Sequence, residues 1–410
     1  MKNKVKIIYL ASFVMTKSKW FEREMDHFEE NSDIETHELC DFLYPSARKV
    51  LKETYKSKKI FAFKKFSDWK NYILNLQQKL REEKKKLVIL TELSQYPRQG
   101  YSLKYLMVNK FLNQQKIDYY EFNVSWMSSP KATTGTYLKY IKIFKYWRYL
   151  LIRINEILAS FFGSLLNIKP KGIFVSGSRT KKRLEYFKKT KGIELIDFNS
   201  WELSSTINKN SNGIDPIKKK YAVYIKCEFL PRANMNNFKK KSDESILHVD
   251  STETFEKWYP ALDNFLSYLE KIFNLKIIIA SHPKSDNVGS LDYLGNRTAI
   301  LNKTEELVRG SEFVISRNSS ALTYAIVYKK PIFFIYSNET KRHVGNFSSI
   351  NTLSSYFKIE SINIDENISE NQIKSLMNFD EKLYNSYMKE FLTSNLENKN
   401  YRIILNYLNK

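Results

Sequence analysis

The sequence predicts an α/β protein with two Rossmann-like halves, each built on a mostly parallel sheet. Apolar runs alternate with stretches of helical spacing in both halves, which is typical of strands covered by helices on both faces. A polar stretch at 203–220, LSSTINKNSNGIDPIKKK, interrupts this alternation and has the composition of a linker. The length of 410 residues is enough for two domains of ordinary size.

The elements of the first half follow from short apolar runs and from the helical patterns between them. VKIIYLA at 5–11 and KLVILTE at 86–92 have the length and composition of buried strands. Further strands are predicted at 117–124, 171–178 and 193–198. Helices are predicted at 17–30, 102–115, 137–166 and 181–190, and 36–43 is a further helical candidate.

A second alternating pattern begins after the linker. Strands are predicted at 221–229, 275–281, 298–301, 313–317 and 331–337, and helices at 254–273, 303–311 and 320–329. From Ser369 to Lys410 the spacing is helical and shows no strand pattern. The predicted division is therefore an N-terminal domain over 1–210, a C-terminal domain over 211–368 and a helical segment over 369–410.

The composition predicts a folded, cytoplasmic protein with an anionic partner. Its hydrophobic fraction of 42% is that of a folding chain, and no signal peptide precedes the first strand. Its two cysteines do not form the pattern of a disulfide framework. The formal net charge of +23 indicates nucleic acid, acidic lipid head groups or a phosphorylated substrate, without choosing among them.

The predicted helix at 137–166, YLKYIKIFKYWRYLLIRINEILASFFGSLL, is the segment nearest to a membrane span. Basic residues interrupt it up to Arg153, and the uncharged part after Glu156 is too short to cross a bilayer. The pattern predicts an amphipathic helix with a basic and aromatic side. Two interpretations stay open: a half-buried helix between domains, and peripheral contact with the anionic inner face of a membrane.

Three loops of the second half follow predicted strands, where open parallel sheets bind their ligands. The first is Ser281-His282-Pro283-Lys284. Because proline restricts the residue before it, His282 is expected in an extended conformation at the strand end. There His282 can donate to a phosphate oxygen and Lys284 adds positive charge, although a purely structural histidine is the alternative.

The second loop, Arg317-Asn318-Ser319-Ser320, precedes a predicted helix. Hydroxyls and backbone N–H groups at a helix N-terminus favour a phosphate, and these four residues are predicted to form a phosphate site. A simple N-cap by Asn318 or Ser319 is the alternative.

The third loop, at 295–307, is predicted to line a nucleoside pocket. Asn296 and Arg297 are candidates at its start. Thr304 with Glu305 is expected to cap the next helix and to reach a ribose.

These motifs resemble those of bacterial GT-B glycosyltransferases with cytidine-activated donors. A His-Pro pair after one strand and a serine pair after a later one are similar to motifs of bacterial sialyltransferases and polysialyltransferases. Capsule Kdo transferases and CDP-glycerol glycerophosphotransferases have related patterns. Residues 254–339 also resemble a family from surface-polysaccharide gene clusters, through IIIASHPKSD, GNR, KTEELV and NSSALTYAIVYKKPIFFI. The resemblance covers the second half only.

The resemblance implies a GT-B fold in which His282, Ser319 and Ser320 bind the donor phosphate. Two features depart from the pattern of these enzymes. Arg317 stands where a histidine is expected, and CEFLPRANM at 227–235 differs from the usual loop.

The catalytic acid or base is expected in the first domain. Glu92 ends a predicted strand, where a carboxylate can accept the proton of an acceptor hydroxyl. A merely solvated glutamate is the alternative. SGSR at 176–179 is a second loop that can meet the acceptor.

Several missing motifs predict a reaction without a metal or cofactor. The sequence has no Asp-x-Asp, no P-loop, no G-x-G-x-x-G and no metal-ligand spacing among its five histidines. The leaving phosphate would then be stabilised by His282, Lys284 and a helix terminus.

The leading hypothesis is a metal-independent glycosyltransferase that moves a sugar from a CMP-activated donor to a glycan or lipid-linked glycan acceptor, in capsule or lipopolysaccharide biosynthesis. The nearest alternative is a CDP-alditol phosphotransferase of the teichoic-acid kind. A non-enzymatic scaffold or a basic nucleic-acid-binding protein would also fit the charge. No nucleic-acid-binding module occurs, and the aromatic residues lie in buried-looking runs, which disfavours nucleic acid.

Overall fold

The computed structural model of the chain contains two compact units. Unit 1 comprises the described residues up to Ile207 and those from Glu390 onward, and unit 2 comprises those from Lys220 to Lys389. The structure describes residues 5–43, 55–93, 102–124, 147–207, 220–226, 255–281, 289–342, 344–394 and 397–409.

The sheet of unit 1 has seven parallel strands in the order β3-β2-β1-β4-β5-β6-β7. The strands are β1 Val5–Ala11, β2 Asp33–Glu38, β3 Ile60–Ala62, β4 Lys86–Thr91, β5 Asp118–Asn123, β6 Gly172–Ser176 and β7 Glu194–Phe198. The helices before residue 208 are α1 Lys17–Glu22, α2 Met25–Asn31, α3 Cys40–Leu43, α4 Phe66–Glu82, α5 Ser102–Gln114, α6 Trp147–Leu165, α7 Ser178–Lys191 and α8 Trp201–Thr206.

Both faces of this sheet are covered, which explains its continuous apolar strands. Ile7 and Tyr9 of β1 belong to one core cluster, and Ile8 and Leu10 belong to a second cluster. Successive side chains of a strand point to opposite faces of the sheet, so each cluster lies on its own face. All four side chains are buried.

The sheet of unit 2 has the order β10-β11-β9-β8-β12-β13-β14 and is parallel except for β10, which pairs antiparallel with β11. The strands are β8 Tyr221–Ile225, β9 Lys276–Ser281, β10 Gly289–Leu291, β11 Arg297–Leu301, β12 Val314–Ser316, β13 Ile332–Tyr336 and β14 Ile362–Asn363. The α-helices are α9 Phe255–Phe273, α10 Thr304–Gly310, α11 Leu322–Val327, α12 Asn338–Arg342, α13 Val344–Phe357, α14 Glu370–Ser375 and α15 Glu381–Tyr387. A 3₁₀ turn spans Asp292–Leu294, and a π-helical turn spans Met388–Leu392.

The predicted α/β class with two mostly parallel sheets is confirmed, while several local predictions are wrong. The helix predicted at 17–30 is two helices, because Glu24 has a left-handed backbone with φ 55° that a continuous helix excludes. The helical candidate at 36–43 begins as strand β2 and becomes helical only at Cys40. Helix α8 extends to Thr206, inside the predicted linker, and 208–219 lie outside the described residues.

The C-terminal residues from Glu390 return to unit 1. Helix α16, Asn400–Leu408, places Tyr401 in the same core cluster as Tyr9. The side-chain amide of Asn400 donates to the carbonyl of Asn199 at 3.1 Å, and its Oδ1 accepts from the Asn199 N–H at 3.1 Å. This paired contact fixes α16 to the end of β7.

Helix α6 is the described part of the helix predicted at 137–166. It begins at Trp147, and residues 137–146 lie outside the described residues. Within the described ranges, no helix is both long and apolar enough to cross a membrane.

Candidate functional site

Each sheet reverses its strand order at one place, and open α/β sheets bind ligands at such places. In unit 1, strand β1 lies between β2 and β4, and in unit 2, strand β8 lies between β9 and β12. The carboxyl ends of β1 and β4, and those of β8 and β12, therefore border the two topological switch points. The side chains at these strand ends define the candidate site.

Lys226 and Arg317 lie at the switch point of unit 2. Lys226 follows β8, and Arg317 follows β12. In the pairing of these two strands Tyr224 lies opposite Ile315, and Lys226 and Arg317 are each two residues further along the chain. Strand β9 ends at Ser281 on the other side of β8. With neighbouring strands about 4.8 Å apart, the ends of β9 and β12 are roughly 10 Å apart. The two phosphate loops predicted from the sequence therefore start on either side of Lys226.

Both cations are buried against aromatic rings. Arg317 is 4% exposed, and its guanidinium carbon lies 4.6 Å from the ring centroid of Trp258. Lys226 is 5% exposed, and its Nζ lies 5.4 Å from the ring centroid of Tyr259. Both rings are in the first turns of α9. Cation–π contacts hold these two side chains in place, so the ends of β8 and β12 each carry a buried, positioned basic residue.

Ser319 contacts the backbone at the start of helix α11. The helix begins at Leu322 with Ala321 as its N-cap residue. The hydroxyl of Ser319 accepts from the Ala321 N–H at 3.3 Å, and the Ser319 carbonyl accepts from the Leu322 N–H at 3.1 Å, which is the hydrogen-bond pattern of an N-cap. Capping and phosphate binding by Ser319 both stay open. Asn318 is exposed and Ser319 is half-buried, as is Ser320, so these groups stay accessible beside Arg317 in the chain.

His282 and Lys284 lie outside the described residues, as does the loop at 227–235. The strand that leads to His282 is confirmed, because β9 ends at the buried Ser281. Phosphate binding by His282 and Lys284 stays a prediction.

Arg297 is buried in a network that uses its whole guanidinium group. Its Nε and Nη2 donate to Glu270 at 3.2 and 2.7 Å, and its Nη2 also donates to Ser267 at 2.8 Å. Its Nη1 donates to Asp263 and to the carbonyl of Leu294, the latter at 3.0 Å. Since each of the five N–H groups of arginine has an acceptor within unit 2, Arg297 has a structural role in this geometry.

The other predicted nucleoside residues lie near the start of β11 and in α10. Asn296 is exposed in a left-handed turn with φ 55°. Thr304 is the first residue of α10, whose N-cap position is taken by Lys303, so the predicted cap is wrong. Glu305 accepts from the Tyr328 hydroxyl at 2.9 Å. Burial and the Glu305 carboxylate raise the pKa of Tyr328.

Glu92 lies at the switch point of unit 1, directly after β4. Its side chain is 16% exposed, and its Oε1 accepts from the Tyr9 hydroxyl and from Arg23 Nε, both at 2.6 Å. Tyr9 belongs to β1 and Arg23 ends α1, so three elements fix the orientation of this carboxylate. Burial, reinforced by the negative charge of Glu92, raises the pKa of Tyr9 and keeps that hydroxyl a donor.

Two further glutamates lie near Arg23 and have opposite pKa shifts. Burial disfavours the charged form of Glu22, but Lys19 and Arg23 outweigh it and lower the pKa of Glu22 to about 2. Burial raises the pKa of Glu202, in the first turn of α8, and the negative charge of Glu22 raises it further. Carboxyl groups with pKa values pushed apart are typical of acid–base sites, and Glu202 is therefore a second candidate base.

The loop at 176–179 packs against the C-terminal segment. Gly177 has φ 73°, and a Cβ there would lie 2.4 Å from the carbonyl oxygen of Glu390. The Ser176 hydroxyl donates to the carbonyl of Phe391 at 3.2 Å, and the Arg179 guanidinium lies 5.2 Å from the Phe391 ring. The loop therefore attaches residues 390–391 to the edge of the sheet. The sequence analysis did not predict this contact, and contact of the loop with an acceptor stays a prediction.

The fold is similar to that of two solved structures. A variant of the wall teichoic acid polymerase TagF aligns with a TM-score of 0.52 and 12% identity over 100% of this chain and 90% of that chain. Os79 from O. sativa in complex with UDP aligns with a TM-score of 0.51 and 11% identity, over 98% of this chain and 99% of that chain. No protein-family profile and no curated protein matches the sequence. The chain therefore has a GT-B-like fold.

Several site residues were missed by the sequence reasoning. Lys226 is the first residue after β8, as Glu92 is after β4, but it was missed because the predicted strand at 221–229 placed it inside the strand. Tyr9 and Arg23 contact Glu92, and Glu202 lies near Arg23, only because of strand order and helix packing, for which the sequence carries no local signal. Within the described ranges, no group of three or more His, Cys, Asp or Glu side chains is placed to hold a metal ion.

Proposed function

We propose that the chain is a glycosyltransferase in which unit 2 binds a nucleotide-activated sugar and unit 1 activates the acceptor. The observation that carries this proposal is the pair of buried cations, Lys226 and Arg317, at the switch point of unit 2. Arginine and lysine at such a point suit the phosphates of a nucleotide. The GT-B-like fold supports the same assignment.

The proposed reaction uses a base in unit 1 and an anion site in unit 2. Glu92 accepts the proton of an acceptor hydroxyl, the oxygen bonds to the anomeric carbon, and the bond from that carbon to the donor phosphate oxygen breaks. The electron pair leaves with the nucleotide, so negative charge develops on its phosphate. Arg317 and Lys226, with His282 and Lys284 as further donors, stabilise this charge electrostatically. The proposal includes no metal or cofactor.

The proposed donor is a cytidine-type nucleotide sugar, and the proposed acceptor is a glycan or lipid-linked glycan of capsule or lipopolysaccharide. The cytidine assignment rests on the His-Pro and Ser-Ser motifs described above. The UDP bound to Os79 supports a nucleotide-linked donor in general.

A CDP-alditol phosphotransferase is the second candidate. The likeness to a wall teichoic acid polymerase favours it. In that reaction the transferred group keeps a phosphate, whereas glycosyl transfer adds a sugar without phosphorus. The mass of the product distinguishes the two candidates.

The proposal is tested by titrating CMP, CDP and UDP against the wild-type protein and His282→Ala by calorimetry. We expect binding of a cytidine nucleotide that EDTA does not reduce and that the variant loses. Lys329→Gln is a matched control, because Lys329 is an exposed cation of unit 2 whose ammonium pairs with Glu381 at 2.7 Å. Absence of nucleotide binding, together with steeply salt-dependent binding of random DNA, would replace this proposal with a nucleic-acid-binding function.

A further inference from the structure

Among the described side chains of helix α6, from Ile154 onward, large apolar residues are exposed while Ala159 and Gly163 are buried. Ala159 is fully buried, Gly163 is buried, and the Asn155 side chain accepts from the Leu103 N–H of α5 at 3.1 Å. The opposite side of the helix forms an exposed apolar stripe, defined here as Ile154, Ile157, Leu158, Phe161, Phe162, Leu165 and the following Leu166.

The members of the apolar stripe are spaced as on one helix face. Ile154, Ile157, Phe161 and Leu165 follow one another at intervals of three and four residues. Ile157 is 66% exposed, Phe161 59% and Leu165 67%. A surface helix of a water-soluble domain normally turns such a face towards the core. A contiguous apolar face of this kind indicates a partner that covers it.

A strongly basic helix ends beside the apolar stripe. Helix α7 carries seven lysines and arginines against a single glutamate. Its last residue, Lys191, donates through Nζ to the Ser164 hydroxyl at 3.0 Å, and Lys169 Nζ donates to the Lys191 carbonyl at 2.8 Å. Lys188 and Lys189, one turn earlier, are exposed. Burial and, to a lesser extent, the charge of Lys169 lower the pKa of Lys191.

The positive charge of α7 favours one of two partners that could cover the apolar stripe. A second copy of the chain, docked stripe to stripe, would bring two basic α7 helices towards each other, which like-charge repulsion disfavours. The surface of an anionic bilayer offers hydrocarbon for the stripe and phosphates for the lysines.

We propose that the apolar stripe of α6 inserts into the interface of an anionic lipid bilayer while the exposed lysines of α7 contact lipid phosphates. The helix then lies in the plane of the interface, with Ala159 and Gly163 turned towards α5. This inference rests on unit 1 alone and does not depend on the donor chemistry proposed for unit 2.

The test is co-sedimentation of the full-length protein with vesicles. Vesicles of phosphatidylcholine alone are compared with vesicles that also contain phosphatidylglycerol. We expect strong binding to the anionic vesicles, and about tenfold or greater weakening in Phe161→Glu/Leu165→Glu. Leu74→Glu is the matched control, because Leu74 is an exposed leucine on α4. Circular dichroism and nucleotide binding of the same variants show whether they remain folded.

The lysines give a second, independent readout. Lys188→Gln and Lys189→Gln should each weaken binding to anionic vesicles by about fivefold, since one basic residue near the surface contributes about that factor. Binding to neutral vesicles should not change. High salt should weaken binding of the wild-type protein and bring it close to that of a variant that carries both Lys188→Gln and Lys189→Gln.

Two results would overturn the inference. One is wild-type protein that stays in solution with anionic vesicles, or that binds them as well when Phe161 and Leu165 are replaced by glutamate. The other is a wild-type dimer in sedimentation velocity that the same replacements convert to a monomer, since the stripe would then cover a second copy. Retained nucleotide binding in either case would leave the proposed function intact.

Discussion

The two units have the same strand order around their switch points and place opposite chemistry there. In unit 1 the strand ends hold the carboxylate of Glu92, which is oriented by Tyr9 and Arg23. In unit 2 they hold the cations Lys226 and Arg317, which rest against aromatic rings. The same backbone geometry therefore presents a carboxylate in one unit and two basic side chains in the other.

This difference shows that the switch point fixes where a site lies, while the residues after each strand fix what the site can do. A transferase needs both kinds of chemistry, a base for its acceptor and positive charge for its leaving group. A scaffold or nucleic-acid-binding protein would not need an oriented carboxylate in unit 1. The comparison between the units is therefore tested by replacing site residues in one unit at a time and measuring turnover and nucleotide affinity separately.

The largest effect is expected from Glu92→Gln. Loss of a general base lowers kcat by about 10²–10⁴-fold, while nucleotide affinity should stay unchanged because unit 2 is untouched. Donor-dependent release of free nucleotide and calorimetry measure the two quantities.

Glu202→Gln is the comparison variant for Glu92→Gln. If Glu202→Gln abolishes turnover and Glu92→Gln does not, the base in unit 1 is Glu202. Its raised pKa then sets the acid limb of the pH–rate profile, because the carboxyl group accepts a proton only above that pKa. With Glu92 as the base, that limb should be unaffected by Glu202→Gln.

The next largest effect concerns Arg297, which has a structural role in unit 2, in contrast to Arg317 at the candidate site. Arg297→Met leaves Asp263 and Glu270 without their cation and should lower the free energy of unfolding by about 2–4 kcal/mol. The loss is smaller than for fully buried partners, since these carboxylates are 34% and 28% exposed. Urea denaturation measures it, and Lys303→Met, which breaks an exposed pair with Glu306, is the control. Equal stability of the two variants would contradict the structural role of Arg297.

The smallest effect concerns a buried histidine in unit 1. His37 Nδ1 accepts from the Trp69 indole N–H at 3.1 Å, and burial lowers the pKa of His37 below 6.5 despite the nearby Glu35. The unfolded chain therefore takes up the proton first, so this contribution to stability is complete above pH 6.5 and is lost as the pH falls below it. The stability difference between wild type and His37→Gln, measured by thermal unfolding, should be larger above pH 6.5 than below it. A pH-independent difference would contradict this assignment.

The sequence analysis predicted the central strands of the two sheets better than the strands at the sheet edges. Central strands such as β1 and β9 were found because their apolar runs are long and continuous. Strands β3, β10 and β14, with two or three residues each, were missed, whereas the equally short β12 was found because it lies in the longer apolar run at 313–316. The break at Glu24 was missed because a left-handed residue other than glycine leaves no mark in the composition.

The residues of the candidate site were predicted only in part, because a local pattern identifies strand ends but not contacts between distant elements. Glu92 and Arg317 follow their strands directly, so local pattern was enough to single them out. The ring contacts of Lys226 and Arg317 depend on how α9 packs over the sheet. The five acceptors of Arg297 likewise come from elements up to 34 residues away in sequence. Such contacts are set by tertiary structure. The loop motif that predicted Arg297 as a nucleoside-binding residue therefore could not show that its N–H groups are already paired within unit 2.

The most direct test of the central claim is the affinity of the protein for a cytidine nucleotide when Arg317 is replaced. Arg317→Gln removes a charge-assisted contact to phosphate and should weaken binding by about 30–100-fold, while Lys329→Gln should bind as wild type does. Thermal unfolding establishes that both variants are folded. Nucleotide affinity unchanged in a folded Arg317→Gln protein would contradict the assignment of the unit 2 switch point as the anion site.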